Sequence, residues 1–319
     1  GIAYDMFGAR HPELLHPHRD MSGRVESSMK YMKGLTDLQA AIDSPEASEL
    51  KQYIGSMEPA AVNDFLTALG FTGLYAHGTH VAGIAAAGNP FARLLCARIS
   101  FDYHPTSAPI LPEAARAHAR SYAETVAYFK AAGVRAVNMS WGWTFDEIEA
   151  GLEANGVGVN AEERKAMTEE IFGTLDKGLH DAIASAPGIL FVIAAGNDDN
   201  DVGFNRVIPS AYDLDNIMVV GAVDQAGERT SFTSMGENVV VYANGFEVDS
   251  YVPGGQRMAF SGTSMASPNA LNLAVKLITV KPTLQPAEVI RLIEQGADEL
   301  AGQPELKLLN PAASMALLQ

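Results

Sequence analysis

Apolar residues along this chain of 319 amino acids form short continuous runs, separated by longer segments with a helical period. The runs 188–195 and 217–223 are typical of strands buried on both faces of a parallel sheet. A strand at 93–100, a helix at 112–132 and a strand at 136–140 follow one another in the order of a βαβ unit. The pattern therefore predicts an α/β protein with a mostly parallel sheet.

We interpret two further segments as helical insertions. The first lies near 35–70, where Ser44 precedes a proline and is the predicted cap of a helix. The second lies near 144–170 and opens with Thr144 three residues before a glutamate, which is the spacing of a capping box. The sequence contains no internal repeat and no linker rich in proline and serine, so we expect a single domain over 1–319.

Composition and charge exclude several classes of function. With 47% hydrophobic residues the chain is globular, and its net charge of −16 argues against binding to nucleic acids and anionic membranes. No apolar run approaches the roughly 18 residues of a membrane span. Cys96 is the single cysteine. Because it lies in the apolar run at 93–100, we expect a buried structural thiol.

Ser264 stands between a turn of small residues and an apolar helical run. Unpaired N–H groups and the positive end of the helix dipole at a helix start suit a nucleophile and an oxyanion forming beside it. Pro268 is predicted in the first turn of this helix, where a missing N–H costs little. For Ser264 taken alone, a helix cap is the better interpretation.

A second polar block follows Gly70, which we expect to end the preceding helix. His77 is predicted at the start of the next helix, and His80 lies three positions on, so the two share a face and are metal-ligand candidates. No glutamate completes the HExxH zinc pattern, and a lone histidine is more often structural than catalytic. Three histidines within 11–18 are a further metal candidate, for which a solvated loop is the default interpretation.

Acyl transfer requires a nucleophile, a base, an acid that orients the base and a donor to the oxyanion. Four side chains of these types stand at predicted strand ends or helix starts, which meet at one edge of an open α/β sheet: Asp5, His77, Asn197 and Ser264. In this arrangement Ser264 would attack and His77 would take its proton. Asp5 would orient His77, and Asn197 would donate to the oxyanion.

Four sequence blocks resemble those of the subtilisin-like serine peptidases, the subtilases, and the resemblance extends over essentially the whole chain. HGTHVAG at 77–83 and GTSMASP at 262–268 resemble the blocks around the family's histidine and nucleophile. NMSWG at 138–142 resembles its substrate-binding strand, and AAGN at 194–197 its oxyanion asparagine. The resemblance implies a three-layer, doubly wound, mostly parallel sheet with helical insertions, and the activity of a serine endopeptidase.

The resemblance carries over to single residues. It implies Ser264 as the nucleophile, His77 as the general base and Asn197 as an oxyanion donor together with the N–H of Ser264. Asp5 is implied as the triad acid because it ends an apolar strand, although the usual Asp-Ser/Thr-Gly is replaced here by a DMFG that is one residue longer. Asp20 is the competing acid, but it follows a polar loop and not an apolar strand.

Substrate recognition is implied in the same way. An extended peptide would add as a strand beside the segment 140–142. The primary specificity pocket would lie between that segment and the segment 194–196. The residues concerned are Ser140, Trp141, Gly142, Ala194, Ala195 and Gly196. Trp141 and Trp143 either line the pocket or pack in the core.

The implied partners are polypeptide substrates and, where the protein is made as a precursor, an upstream propeptide. The chemistry requires no cofactor. A structural Ca²⁺ at 198–201 is left open, because this acidic run supplies oxygen ligands but lacks EF-hand spacing. Export to the cell surface, the periplasm or the medium is expected from the family alone, since the chain shows no signal peptide.

The main alternative is a catalytically silent subtilase-like domain that binds peptides or partners, which the irregular acid motif favours. A lipase-like hydrolase is excluded because no GxSxG elbow surrounds Ser264.

Overall fold

The computed structural model describes residues 1–12, 23–203, 205–300 and 303–318. Its helices are α1 (Val25–Met29), α2 (Met32–Gln39), α3 (Pro45–Gly55), α4 (Pro59–Ala86), α5 (Pro112–Ala131), α6 (Phe145–Ala154), α7 (Ala161–Ala184), α8 (Thr263–Val280), α9 (Pro286–Gly296) and α10 (Pro311–Ala316). Its strands are β1 (Ile2–Tyr4), β2 (Ala97–Ile99), β3 (Ala136–Met139), β4 (Leu190–Ala194), β5 (Ile217–Val223), β6 (Val239–Asn244), β7 (Val248–Tyr251), β8 (Arg257–Phe260), β9 (Asp298–Leu300) and β10 (Gln303–Leu308).

The largest sheet of the described residues has the strand order β3-β4-β5-β6-β10-β9. All neighbours in it are parallel except β9, which runs antiparallel to β10. On β4, Phe191 and Ile193 pack against α5 and α7, whereas Leu190 and Val192 pack against α8 and α9. Helices thus cover both faces of the sheet, and the predicted three-layer α/β architecture is confirmed.

The register of this sheet brings the predicted site segments together. Met139 at the end of β3 pairs with Ile193 on β4, and Ala194 at the end of β4 pairs with Val220 on β5. Because parallel strands place their carboxyl ends at the same edge, the residues that follow β3 and β4 lie side by side.

The predicted βαβ unit is wrong in its pairing. Strand β2 does not join β3, but pairs in parallel with β1 in a separate two-stranded sheet. The apolar run before it is not buried: Leu94 is 58% exposed and Cys96 is exposed. The expectation of a buried thiol is therefore wrong, because the edge strand β2 is only three residues long and Cys96 lies outside it.

Helix α4 passes straight through Gly70, so the prediction that this glycine ends a helix is wrong, as is the prediction that His77 begins one. A Cβ at position 70 would lie 2.4 Å from the carbonyl oxygen of Tyr103. The glycine therefore serves close packing within the helix. Burial of Leu69 and Phe71 beside it outweighs the roughly 1 kcal/mol that a glycine costs in a helix interior.

Helices occupy both segments predicted as insertions. Ser44 Oγ caps α3 by accepting a hydrogen bond from the N–H of Ala47 at 3.0 Å, and Thr144 and Glu147 form the predicted capping box of α6. The single-domain interpretation stays a prediction. Within the described ranges, no helix combines the length and the apolar character that crossing a membrane requires.

Candidate active site

Ser264 is the second residue of α8, directly after the turn at Gly262. Pro268 lies beyond the first turn of this helix, which corrects its predicted position, and its missing N–H leaves the Ser264 carbonyl without a helical partner. That carbonyl accepts a hydrogen bond from Ser140 Oγ at 2.9 Å instead. Ser264 Oγ itself makes only a long contact, 3.5 Å, with the Ser140 carbonyl oxygen.

Asn197 follows β4 and is held by its side-chain oxygen. Its Oδ1 accepts hydrogen bonds from the N–H of Thr263 at 2.8 Å and from Thr263 Oγ1 at 3.0 Å. Since backbone N–H can only donate, this pairing fixes which side of the amide carries the oxygen. Asn197 Nδ2 has no hydrogen bond to any described residue, and the same is true of the N–H of Ser264.

These two free donors lie close to one point. An atom in the Cβ position of Gly262 would be 3.5 Å from Asn197 Nδ2 and 3.7 Å from the backbone nitrogen of Ser264. Gly262 has a φ of 150°, a value that residues with a side chain rarely adopt. The glycine therefore keeps the space between the donors open.

Next to Ser264, two side chains that the sequence analysis did not assign, Asn138 and Ser267, form a hydrogen-bonded ring with Ser140. Asn138 Nδ2 donates to Ser140 Oγ at 2.8 Å, Ser267 Oγ donates to Asn138 Oδ1 at 3.1 Å, and the two serine hydroxyls lie 3.0 Å apart. Thr263 is a third unassigned side chain. It links α8 to the segment after β4, because its Oγ1 also accepts a hydrogen bond from the N–H of Gly196 at 3.1 Å. All three were within the sequence blocks already singled out, which was the signal that pointed to them.

The implied substrate segments, Ser140–Gly142 and Ala194–Gly196, lie next to each other at the ends of β3 and β4. The backbone N–H groups of Trp141 and Gly142 make no hydrogen bond with any described residue. One position later, the backbone of Trp143 exchanges two hydrogen bonds with Ile208, at 2.9 and 3.0 Å. The segment thus carries two unpaired donors just before it enters that bridge.

Both tryptophans pack against the core. Trp141 stacks on Tyr122 with ring centroids 5.9 Å apart, and Trp143 Nε1 donates to Tyr122 Oη at 2.9 Å. Burial raises the pKa of the Tyr122 hydroxyl, which therefore stays protonated. Of the two interpretations of Trp141 and Trp143, packing is the one that their contacts support.

His77 lies in the interior of α4, one turn before His80. The His77 side chain is only half-buried. Desolvation of its imidazole and, to a smaller extent, the neighbouring His80 lower the pKa of His77 to about 4, so the ring is neutral at pH 7. His80 is structural: its Nε2 donates to the Met258 carbonyl oxygen at 2.9 Å, and its ring stacks on Phe260 at 4.4 Å.

Helices α4 and α8 run side by side in the same direction. Asn272 Nδ2 donates to the Ala85 carbonyl oxygen at 3.0 Å, and Asn89 just beyond α4 donates to Thr279 Oγ1 at 3.2 Å, partners that are 187 and 190 positions apart. Because both helices rise about 1.5 Å per residue, the same spacing brings His77 level with the first turn of α8. No hydrogen bond joins His77 to Ser264 in the described part of the chain.

Asp5 follows β1 and holds its own turn. Its Oδ1 accepts from the N–H groups of Phe7 and Ala9, both at 2.9 Å. Its charge also acts on His118, where burial lowers the pKa and Asp5 partly opposes that shift. Among the described residues, no hydrogen bond joins Asp5 to His77. The competing acid Asp20 lies outside the described residues.

The described residues contain no group of three or more His, Cys, Asp and Glu side chains that could hold a metal ion. This finding covers His77 and His80 as well as the acidic run 198–201. Asp201 Oδ1 accepts from the N–H of Gly203 at 3.0 Å, and Asp199 faces Arg229 at 4.0 Å. The calcium site left open at 198–201 stays a prediction. Of the histidines within 11–18, only His11 is described.

Comparisons with known proteins were made for sequence and structure. The model of the subtilase family matches residues 70–309. A subtilisin from Bacillus pumilus is 31% identical over 225 residues, which cover 70% of this chain and 70% of that protein. Subtilisin DY from Bacillus licheniformis is 31% identical over 169 residues, which cover 52% of this chain and 60% of that protein. The matched part thus spans about two thirds of these relatives.

Solved structures with the same fold include a mutant of the protease domain of PatA and the prenylagaramide maturation protease PagA. PatA has a TM-score of 0.53 and 24% identity, covering 76% of this chain and 80% of that one. PagA has a TM-score of 0.53 and 20% identity, covering 76% and 82%. These structural similarities show the fold. The family model and the related sequence show the family: the chain belongs to the subtilase family of serine peptidases.

Proposed function

We propose that this protein is a serine endopeptidase that hydrolyses peptide bonds through an acyl-enzyme formed on Ser264. The observation that carries the proposal is the pair of unpartnered donors beside Gly262, Asn197 Nδ2 and the N–H of Ser264. Two fixed donors next to a nucleophile stabilise the negative charge that develops on a carbonyl oxygen during acyl transfer. A structural helix cap would instead use the serine hydroxyl to accept a helical N–H.

The proposed reaction has two halves. Ser264 Oγ attacks the carbonyl carbon of the scissile bond while His77 takes the hydroxyl proton, and the oxyanion is bound by Asn197 and the N–H of Ser264. His77 then gives its proton to the leaving amine, the C–N bond breaks and the acyl-enzyme remains. A water molecule next attacks the acyl carbon, His77 takes and returns the proton, and the carboxylic acid leaves.

Asp5 is proposed as the acid that orients His77. It stands at the carboxyl end of an apolar strand, and its Oδ1 is occupied by the N–H groups of its own turn. Its Oδ2 makes no hydrogen bond to any described residue, which leaves that oxygen for an imidazole N–H.

Polypeptides are the proposed substrates. The unpaired N–H groups of Trp141 and Gly142 support the addition of an extended peptide beside them, because an added strand would satisfy these donors. An upstream propeptide and export from the cell are proposed from the family resemblance alone. The reaction needs no cofactor, since every group in it is a side chain or a backbone N–H. A structural calcium ion stays a prediction.

A fluorophosphonate probe and casein cleavage test the proposal. We expect the wild type to react with the probe and to cleave casein, and Ser264→Ala to do neither. Ser185→Ala, which changes an exposed serine at the end of α7, is the matched control and should behave as wild type. Failure of the wild type in both assays would support the silent binding domain instead.

The same assays decide between the two acids. We expect Asp5→Asn to lower kcat by about 10⁴-fold, the size of effect found when a triad aspartate is neutralised. Asp20→Asn should leave kcat unchanged. The reverse result would assign the acid to Asp20.

A further inference from the structure

Lys33 on α2 forms ion pairs with two carboxylates, one on its own helix and one far along the chain. Its Nζ lies 2.6 Å from both carboxylate oxygens of Asp37 and 2.6 Å from Oε1 of Glu247. The Lys33 side chain is 17% exposed and that of Asp37 is fully buried. Burial opposes the charge on Lys33, but the hydrogen bonds to Asp37 and Glu247 outweigh it and raise the pKa. The ammonium ion therefore persists at neutral pH.

Asp37 and α2, at one end of this network, are held by contacts with α3. Ser44 Oγ, which caps α3, donates to the second oxygen of Asp37 at 2.6 Å. A Cβ at Gly34 would lie 2.4 Å from the Glu46 carbonyl oxygen, so α2 and the start of α3 are in close contact. Lys33 is thus held on a rigid pair of helices.

The other end of the network reaches the nucleophile. The N–H of Glu247 donates to Ser261 Oγ at 2.9 Å, and the N–H of Gly262 donates to the Gly245 carbonyl oxygen at 2.7 Å. A Cβ at Gly245 would lie 2.8 Å from the Gly262 carbonyl oxygen. The turn 245–247 therefore packs directly on the turn 261–264.

Glu247 has a φ of 50°, in the left-handed region that disfavours residues with a side chain. Such a conformation persists only where the surroundings hold it. Two contacts do so here, the ion pair with Lys33 and the hydrogen bond to Ser261.

We propose that Lys33, acting through Glu247, is a positioning residue for the nucleophile turn 261–264. The proposal rests on the peptidase function proposed above. Without the ion pair, Glu247 relaxes towards a negative φ, Ser261 loses its N–H partner, and Ser264 departs from its position relative to the oxyanion donors. Lys33, Asp37 and Ser44 precede the matched range 70–309, so this support for the site comes from outside the part of the chain that the family model covers.

Glu247→Gln is the main test, because it keeps the side-chain shape and leaves the buried Lys33–Asp37 pair intact. We expect kcat to fall on the order of 10-fold or more, because small displacements of a reacting group have large kinetic effects. KM should stay within about twofold, since the peptide-binding strand is untouched. Lys33→Met should reproduce the loss, and the double variant should be no worse than the more affected single one, because the two residues act as one pair.

Lys177→Met is the matched control. It breaks an ion pair of the same i,i+4 spacing, Lys177 with Asp181, on an exposed face of α7. We expect its kcat to equal that of the wild type. A kcat within twofold of wild type for Glu247→Gln, measured well below the unfolding temperature, would overturn the proposal.

Hydrogen exchange of the segment 258–266 gives a readout that does not depend on activity. We expect faster exchange there in Glu247→Gln and Lys33→Met, and wild-type exchange in Lys177→Met. Unchanged exchange in both network variants would refute the coupling. Faster exchange in a protein whose wild type cleaves no peptide would retain the coupling and refute only the peptidase function.

Discussion

At the scale of single residues, the amide of Asn197 is oriented by its oxygen and not by its nitrogen. Thr263 donates twice to Oδ1, at 2.8 and 3.0 Å, so the nitrogen has to face away from Thr263. The donor is thereby fixed before any substrate arrives, and such preorganisation is what makes an oxyanion site effective.

This orientation predicts different losses of kcat for Asn197→Asp and Thr263→Val. Asn197→Asp keeps the acceptor for Thr263 but replaces the donor by an oxygen, so we expect kcat to fall by at least about 10²- to 10³-fold, the loss found when one oxyanion donor is removed from a subtilisin. Thr263→Val removes only the Oγ1 contacts and keeps the N–H bond. Its kcat should fall far less. Steady-state kinetics on one peptide substrate measure both, and equal losses would show that Asn197 acts by anchoring alone.

The same residues show what a sequence can and cannot give. Ser264 and Asn197 could be predicted as neighbours because one stands at a helix start and the other at a strand end, and these meet at one edge of an open α/β sheet. The role of Pro268 could not, because it depends on where α8 begins, and helix ends are fixed by local hydrogen bonds. The contacts of Asp5 and His77 depend on how β1 and α4 pack, and no local pattern encodes that.

At the scale of elements, α7 and α5 meet through small residues. A Cβ at Gly178 would lie 2.5 Å from the Cβ of Ala119 on α5, whereas one at Gly173 would meet nothing within 4 Å. The two glycines stand in the same helix but in opposite environments.

We expect opposite effects of alanine at these two positions. Gly173→Ala should raise the free energy of unfolding by about 0.5–1 kcal/mol, because alanine loses less backbone entropy in a helix. Gly178→Ala should lower it by about 1–3 kcal/mol, because the added methyl group overpacks the contact between helices. Urea unfolding measures both. Equal shifts for the two variants would contradict the close contact of α7 with α5.

Helix α4 and strand β2 show where element predictions fail. A glycine is only weak evidence for the end of a helix. Packing of α4 against its neighbours lets this helix continue through Gly70. The run before β2 is apolar, yet Leu94 and Cys96 are exposed, so a short apolar run did not imply burial. The capping box of α6 was predicted correctly, because Thr144 and Glu147 satisfy N–H groups within their own turn and need no distant partner.

For the whole molecule, the parallel character of strands β3 to β6 could be predicted, since parallel strands buried on both faces leave continuous apolar runs. The separate pairing of β1 with β2 could not, because three-residue strands carry too little pattern. The coupling of α2 to the nucleophile turn was equally hidden, since Lys33 and Glu247 are 214 positions apart.

Histidines whose pKa is lowered in the folded protein make the free energy of unfolding depend on pH. Desolvation lowers the pKa of His77 to about 4 and also lowers those of His80 and His118. In the unfolded chain these groups titrate near 6.5, so between that value and their folded pKa values the unfolded state binds more protons. Stability is therefore fully present above about pH 6.5 and is lost as the pH falls. Lys33 adds nothing in this window, because its raised pKa affects stability only under alkaline conditions.

We expect the urea midpoint to fall between pH 6.5 and 5.5, because the free energy of unfolding decreases by at most about 1.4 kcal/mol per pH unit for each such histidine. Reduced repulsion in a chain of net charge −16 acts in the opposite direction, so variants are needed to isolate the effect. His118→Gln keeps a donor for the Met6 carbonyl oxygen, which His118 Nε2 contacts at 3.2 Å, and should show a smaller loss than the wild type. His180→Gln changes an exposed histidine on α7 and should keep the wild-type slope. Identical slopes for both variants would mean that burial of His118 does not contribute to the acid sensitivity.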